Sequence, residues 1–137
     1  MSLEEDHAQV GLALLIANPN LLLVFDEKIP DPTPDPPYVL VWTDVAWTRD
    51  GIGTSLTGSQ VTVTTTLTCH SVGLTPSAAR AVAGQVRGSL LNVRPVISGR
   101  NCGPIKPVPG SEEVIRDESL GTAVYDAVGV FDFSSTG

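Results

Sequence analysis

From Gln60 to Val72 the chain reads Q-V-T-V-T-T-T-L-T-C-H-S-V, and its two parities separate cleanly. Val61, Val63, Thr65, Leu67, Cys69 and Ser71 fall on one face; Gln60, Thr62, Thr64, Thr66, Thr68 and His70 fall on the other. Period-2 patterning of this length predicts a long strand with one buried face. The branched threonine side chain favours extended backbone on the polar face as well. A helix follows at once, with Thr75 at the N-cap position and Pro76 at N1, where the missing N–H costs nothing. Behind them Ala79, Val82, Ala83, Val86 and Leu90 recur at helical spacing, an apolar stripe able to lie on the sheet.

The first residues add a second helix. Ser2-Leu3-Glu4-Glu5 is a capping box, and Glu4, Glu5 and Asp6 suit the positive end of the helix dipole. Leu3, His7, Val10, Leu14 and Ala17 share a helical face, and Asn18-Pro19 ends the helix. His7 has no partner histidine at metal-binding spacing and is expected at the edge of the packed face. The expected fold is therefore α+β: a small, mainly antiparallel sheet flanked by an N-terminal helix and a central Ala-rich helix.

Between the helices the chain is punctuated by proline. Leu21 to Phe25 is an apolar run that fits a buried strand or a helical turn. Residues 26–37, D-E-K-I-P-D-P-T-P-D-P-P, must form an extended connector without ladder hydrogen bonds. Too few residues precede it to build a separate core, so residues 1–137 are read as a single domain crossed by this connector. Tyr38 to Val45 reads as a strand with Tyr38, Leu40 and Trp42 on one face. Residues 48–59, rich in Gly, Ser and Thr, form a flexible loop longer than a tight hairpin needs, and Arg49, Asp50, Gly51, Ile52 and Gly53 are its candidate docking residues. Pro104, Pro107 and Pro109 confine their segment to an edge strand or loop. Glu112 to Gly121 is expected as a charged connection, and Ala123 to Phe133 as a last strand with Tyr125, Ala127, Phe131 and Phe133 facing inward.

The net charge of −7 is unevenly laid out. Residues 1–50 hold nine acids and two bases, residues 51–111 five bases and no acid, and residues 112–137 six acids and one base. Such blocks fit a solvated surface; they also fit a basic sector of one copy meeting an acidic sector of another, a head-to-tail contact that closes into a ring when the rotation allows. Arg80, Arg87 and Arg94 repeat every seven residues, and the first two share a face of the Ala-rich helix. All three are candidate subunit contacts. Nothing aromatic interleaves with these bases, which ranks nucleic acid below a protein partner.

Chemistry is hard to find. No H-E-x-x-H, G-x-S-x-G, phosphate loop or paired cysteine cluster is present. Cys69 and His70 are neighbours on a strand and point to opposite faces, so they make no thiolate–imidazolium pair. Cys69 and Cys102 lack the number and spacing of a disulfide framework. Asp117 and Glu118 have nothing around them to form a dry acid/base cleft. No enzyme, cofactor or metal is expected. An acidic start and the absence of a long apolar run point to a chain made in the cytoplasm, with no membrane span.

In order, the pieces of this chain resemble the tail terminator (tail completion) proteins of long-tailed bacteriophages. The pieces are the helix ending in A-N-P at Ala17–Pro19, the apolar run to Phe25-Asp26, and the proline-rich approach to P-Y-V-L-V-W at Pro37–Trp42. The strand ending in L-T-C-H-S at Leu67–Ser71, the Ala-rich helix, and a strand near A-V-Y-D-A at Ala123–Ala127 complete the pattern. The resemblance implies a structural virion protein, made in the host cytoplasm, that forms a hexameric ring at the head-proximal end of the tail. Such a ring ends growth of the tail tube and provides the head–tail joining surface. Its implied partners are further copies, the major tail tube protein and a head–tail connector protein, with DNA passing through the channel without specific binding. A different connector or stopper of the same neck, or a small ligand-binding domain or enzyme, are the competing readings.

Overall fold

The computed structural model describes residues 2–21, 23–49, 61–109, 113–118 and 123–137. Helix α1 (Leu3–Ile16) starts as its capping box requires, with Ser2 Oγ accepting the Glu5 N–H at 3.1 Å. Strand β1 (Val24–Asp26) resolves the apolar run as a strand. It pairs parallel to β2 (Tyr38–Arg49), Phe25 standing opposite Leu40. A parallel pair cannot be closed by a tight hairpin, and the proline-rich arm 27–37 makes the return without a helix.

β2 and β3 (Val61–Gly73) form a long antiparallel ladder from Tyr38↔Val72 to Arg49↔Val61. After the turn, α2 (Pro76–Leu90) begins with Thr75 Oγ1 accepting the Ala78 N–H at 3.0 Å. The turn is tight enough to demand glycine at its mouth. A Cβ on Gly73 would stand 2.6 Å from the Ala79 nitrogen, so strand and helix could not meet this closely with any other residue.

The last strand, β7 (Val124–Thr136), lies inside the sheet and pairs along its whole length with β3. Its other edge is built in pieces by β4 (Asn101–Cys102), β5 (Lys106–Pro107) and β6 (Glu113–Asp117), all antiparallel. Prolines explain the fragmentation, since Pro104, Pro107 and Pro109 have no N–H to donate to a ladder. The segment 113–117 is a departure from the charged connection expected there: E-V-I-R-D takes up the edge of β7 left free by the prolines.

Both helices pack on one face of the sheet. Leu12 and Leu15 of α1 and Val86 and Leu90 of α2 meet Val39, Val41, Leu67, Cys69, Phe131 and Phe133 in a single core. The α2 stripe is as expected, with Ala79, Ala83, Val86 and Leu90 buried and Val82 at its margin. The α1 stripe is rotated. Its buried residues are His7, Gly11, Leu12 and Leu15, while Ala17 is exposed, because this helix carries apolar residues on more than one side.

His7 is not at the edge of the packed face but wholly buried. Its Nδ1–H donates to the Leu3 carbonyl at 2.7 Å, leaving Nε2 to meet the Ser135 hydroxyl at 2.6 Å. Arg100 donates from Nε to the same hydroxyl at 3.2 Å and from Nη2 to the Ser135 carbonyl at 2.9 Å. Phe133 stacks on the imidazole at 6.1 Å between centroids. The ring is thus a structural bolt between α1 and β7, its polar atoms satisfied inside the core. Cys69 and Cys102 are both buried and not joined in a disulfide, and burial pushes the Cys102 thiol up.

Candidate assembly surfaces

The two layers leave two broad outer surfaces of different composition. On α2 the residues opposite the buried stripe are Ser77, Arg80, Ala81, Gly84, Arg87 and Gly88, all exposed. At 100° per residue, Arg80 and Arg87 stand nearly in line along one margin of this face, beside a crest of small residues. Among the described residues, a Cβ on Gly84 or Gly88 would meet nothing within 4 Å. The helix holds no acidic residue. Among the described residues, no helix is long and apolar enough to cross a membrane.

The opposite surface is the second face of the sheet. Register brings Leu40, Trp42 and Asp44 of β2 beside His70, Thr68 and Thr66 of β3. These in turn stand beside Val128, Val130 and Asp132 of β7. At the lower end of this face Phe25 and Ile29 pack on Tyr38, Val72 and Val124. Further up, Trp42 is 46% exposed. Among its described positions on β2, β3 and β7 the face carries Asp44, Asp126 and Asp132 and neither lysine nor arginine. Lys106, beside Asp132 at the sheet edge, is drawn to Asn92 Oδ1 at 2.7 Å. A basic helix face and an acidic sheet face therefore lie on opposite sides of one molecule.

Where the proline arm meets the sheet, a cavity of about 190 Å³ is lined by Ile29, Tyr38, Leu40, His70, Val72, Asp117, Val124 and Asp126. His70 Nδ1 lies 2.8 Å from Asp126 Oδ2. That hydrogen bond raises the imidazole pKa above 6.5, with the nearby charge adding to it and burial opposing. Tyr38 is also pushed up, chiefly by burial and then by Asp126 and Asp117. Among the described residues, Asp126 Oδ1 has no hydrogen-bond partner. Among the described lining residues, the hydroxyl-bearing side chain is that of Tyr38. Asp117 lines this cavity, whereas Glu118 is exposed and pairs with Arg116 at 2.6 Å. A larger cavity of about 340 Å³ separates the arm from α2; Leu21, Leu23, Pro37, Val39 and Val82 make it mostly apolar, and Asp35 is the one carboxylate among its described lining residues.

The candidate contacts do not all come together. Arg80 and Arg87 share the outer face of α2, whereas the helix ends at Leu90 and Arg94 lies in the following loop. There its Nη1 donates to the Cys102 carbonyl at 2.9 Å, a bond that ties the loop to β4. Arg49 closes the β2 ladder opposite Val61, and Asp50, Gly51, Ile52 and Gly53, with the rest of the loop to residue 59, lie outside the described residues. The His70–Asp126 pair was invisible to spacing, since 56 residues separate its members.

No family model matches the chain, and no curated protein matches it. Among solved structures, the fold is shared with a chain of the virion of a native gene transfer agent (GTA) particle. The two are 19% identical with a TM-score of 0.65, and the likeness covers 95% of this chain and 94% of the other.

Proposed function

We propose that this chain is a structural virion protein, a tail terminator that forms a ring at the head-proximal end of a phage-like tail. The observation that supports this most is the likeness to a chain of a GTA virion over nearly the full length of both molecules. It agrees with the order of sequence pieces that resembles the tail terminators. The ring, a hexamer in this reading, caps the tail tube, ends its polymerisation and offers the joining surface for the head connector. Arg80 and Arg87 make contacts between its subunits. The loop from Arg49 to Gly53 docks on the tube protein. The chain works by shape and charge, without catalysis or a cofactor. Its acidic balance, with a pI near 4.5, suits a channel through which DNA slides, since binding would need phosphates neutralised by lysine and arginine.

Tails assembled in cells with and without this chain test the reading. Without it, tubes are expected to overrun their normal length, and with it, electron microscopy should place a ring on the tube end that faces the head. Tubes of normal length in its absence would sink the terminator role. Recovery of the chain on DNA-filled heads and never on tails would favour a head-side connector instead.

A further inference from the structure

We infer that Arg94 and Val96 of one copy seat in the groove between the proline arm and α2 of the next copy, Val96 on its apolar wall and Arg94 beside Asp35. The inference rests on the ring reading above and names a contact that joins its subunits. After α2 the chain alternates, with Pro95 and Ile97 buried and Arg94, Val96 and Ser98 exposed. Val96 is 90% exposed, the most of any described large apolar side chain. That exposure is built in. Ile97 anchors the segment in the core, the Ile105 N–H donates to the Val93 carbonyl at 2.8 Å, and the Arg100 N–H donates to the Ile97 carbonyl at 3.0 Å. Arg94 Nη1 adds its bond to the Cys102 carbonyl at 2.9 Å. Side chains held outward on a fixed backbone lose little freedom when a partner covers them.

The groove has the matching make-up. Leu21, Leu23, Val39 and Val82 offer an apolar wall, and Asp35 lines it while staying exposed. Its volume of about 340 Å³ takes a valine side chain and leaves room for the aliphatic stem of an arginine. Charge points to a second copy as the occupant. Residues 91–100 hold Arg94 and Arg100 and no acid, whereas residues 26–37 hold four acids and one base. The carbonyl that accepts from Arg94 is neutral, so the guanidinium keeps its charge while bonded. One carboxylate, Asp6 of α1, lines the recess beside Val96, and the two arginines outnumber it. Opposite charges that meet across a contact fix its register and partner. Segment and groove stand against different elements, the first beside Val10 and Ala13 of α1, the second beside Tyr38 and Val82. A copy joined through one still offers the other, which is what a head-to-tail series needs to close into a ring.

Four forms of the full chain test this: Val96→Asp, Arg94→Asp, Asp35→Arg, and the last two combined. Mass would be followed by sedimentation at low ionic strength, with circular dichroism checking that each form keeps its fold. The wild type is expected to form rings, and each single variant to lose association by about tenfold or more. The combined reversal should assemble again, because the exchanged charges meet between copies. A loss caused only by the missing bond to Cys102 would not be repaired by a change at Asp35. Should Arg94→Asp fail to fold, Val96→Asp and Asp35→Arg, both at exposed side chains, carry the test. Rings that survive Val96→Asp, or a folded double variant that stays apart, overturn the contact and leave the ring reading standing. Val96→Asp rings that form but no longer hold tail tubes assign the segment to the tube, which also overturns the contact. A wild type that stays monomeric both alone and on tail tubes overturns contact and ring together. A wild type that stops at a dimer, broken by Val96→Asp and restored by the double reversal, keeps the contact and overturns the ring.

Discussion

The two faces of β3 differ in composition and do different work. On the helix-covered face Val63, Thr65, Leu67, Cys69 and Ser71 are all fully buried. On the other face Thr62, Thr64, Thr66, Thr68 and His70 are each only half-buried. Threonine dominates the second face because its branched carbon keeps the strand extended while its hydroxyl tolerates water. The same residue on the covered face is a misfit: Thr65 Oγ1 is buried without a hydrogen-bond partner among the described residues. One face is closed off by the chain's own helices, whereas the threonines of the other stay half-buried.

Substitutions can break or sharpen this contrast. The largest effect should come from Leu67→Ala, at the centre of the covered face, which should destabilise the chain by about 3 kcal/mol in urea unfolding. A loss below about 1 kcal/mol would mean that the core is not where the covered face puts it. Gly73→Ala should cost about 1–3 kcal/mol, because the added carbon meets the backbone of Ala79 and not a yielding side chain. Thr65→Val should move the other way, raising stability by about 1 kcal/mol as the orphan hydroxyl leaves the core. If it destabilises, the hydroxyl has a partner after all.

Smaller effects belong to the open face. The folded chain holds the His70 pKa above its ordinary 6.5, so the pair with Asp126 contributes most below that pH. Its contribution fades as pH rises through the raised value. For a half-exposed pair it amounts to at most about 1 kcal/mol. His70→Ala should therefore cost more stability at pH 5 than at pH 8, and equal losses at both would remove the ion pair from the account. Smallest of all, Thr68→Ala should leave monomer stability within about 0.5 kcal/mol. A drop as large as that for Leu67 would erase the distinction between the faces.

Features set by local chemistry were legible in the sequence. The period of β3, the Thr75–Pro76 helix start and the interrupting prolines each rest on residues a few positions apart, and all appear in the fold. The inward set on the last strand was legible for the same reason, Ala127, Phe131 and Phe133 being buried as the alternation requires. What escaped depends on register between distant segments. His7 and Ser135 are 128 residues apart, and nothing near His7 marks it as a core residue with a satisfied ring. The strand at 113–117 was masked by its charges, because an edge strand can keep Glu113, Arg116 and Asp117 and still pair through its backbone. Arg80 and Arg87 were readable as neighbours on a helix; that an acidic sheet face lies behind them required the whole topology.

The position of β7 also bears on how the protein is made. β3 pairs with the preceding β2 but finds its second partner only after a long delay: Gly73 pairs with Tyr125 and Val63 with Ser135. At ~5–20 residues per second, a ribosome needs on the order of 3–10 s to add the intervening stretch. Until then a nascent chain presents the full unpaired edge of a thirteen-residue strand, the kind of template on which neighbouring polypeptides aggregate.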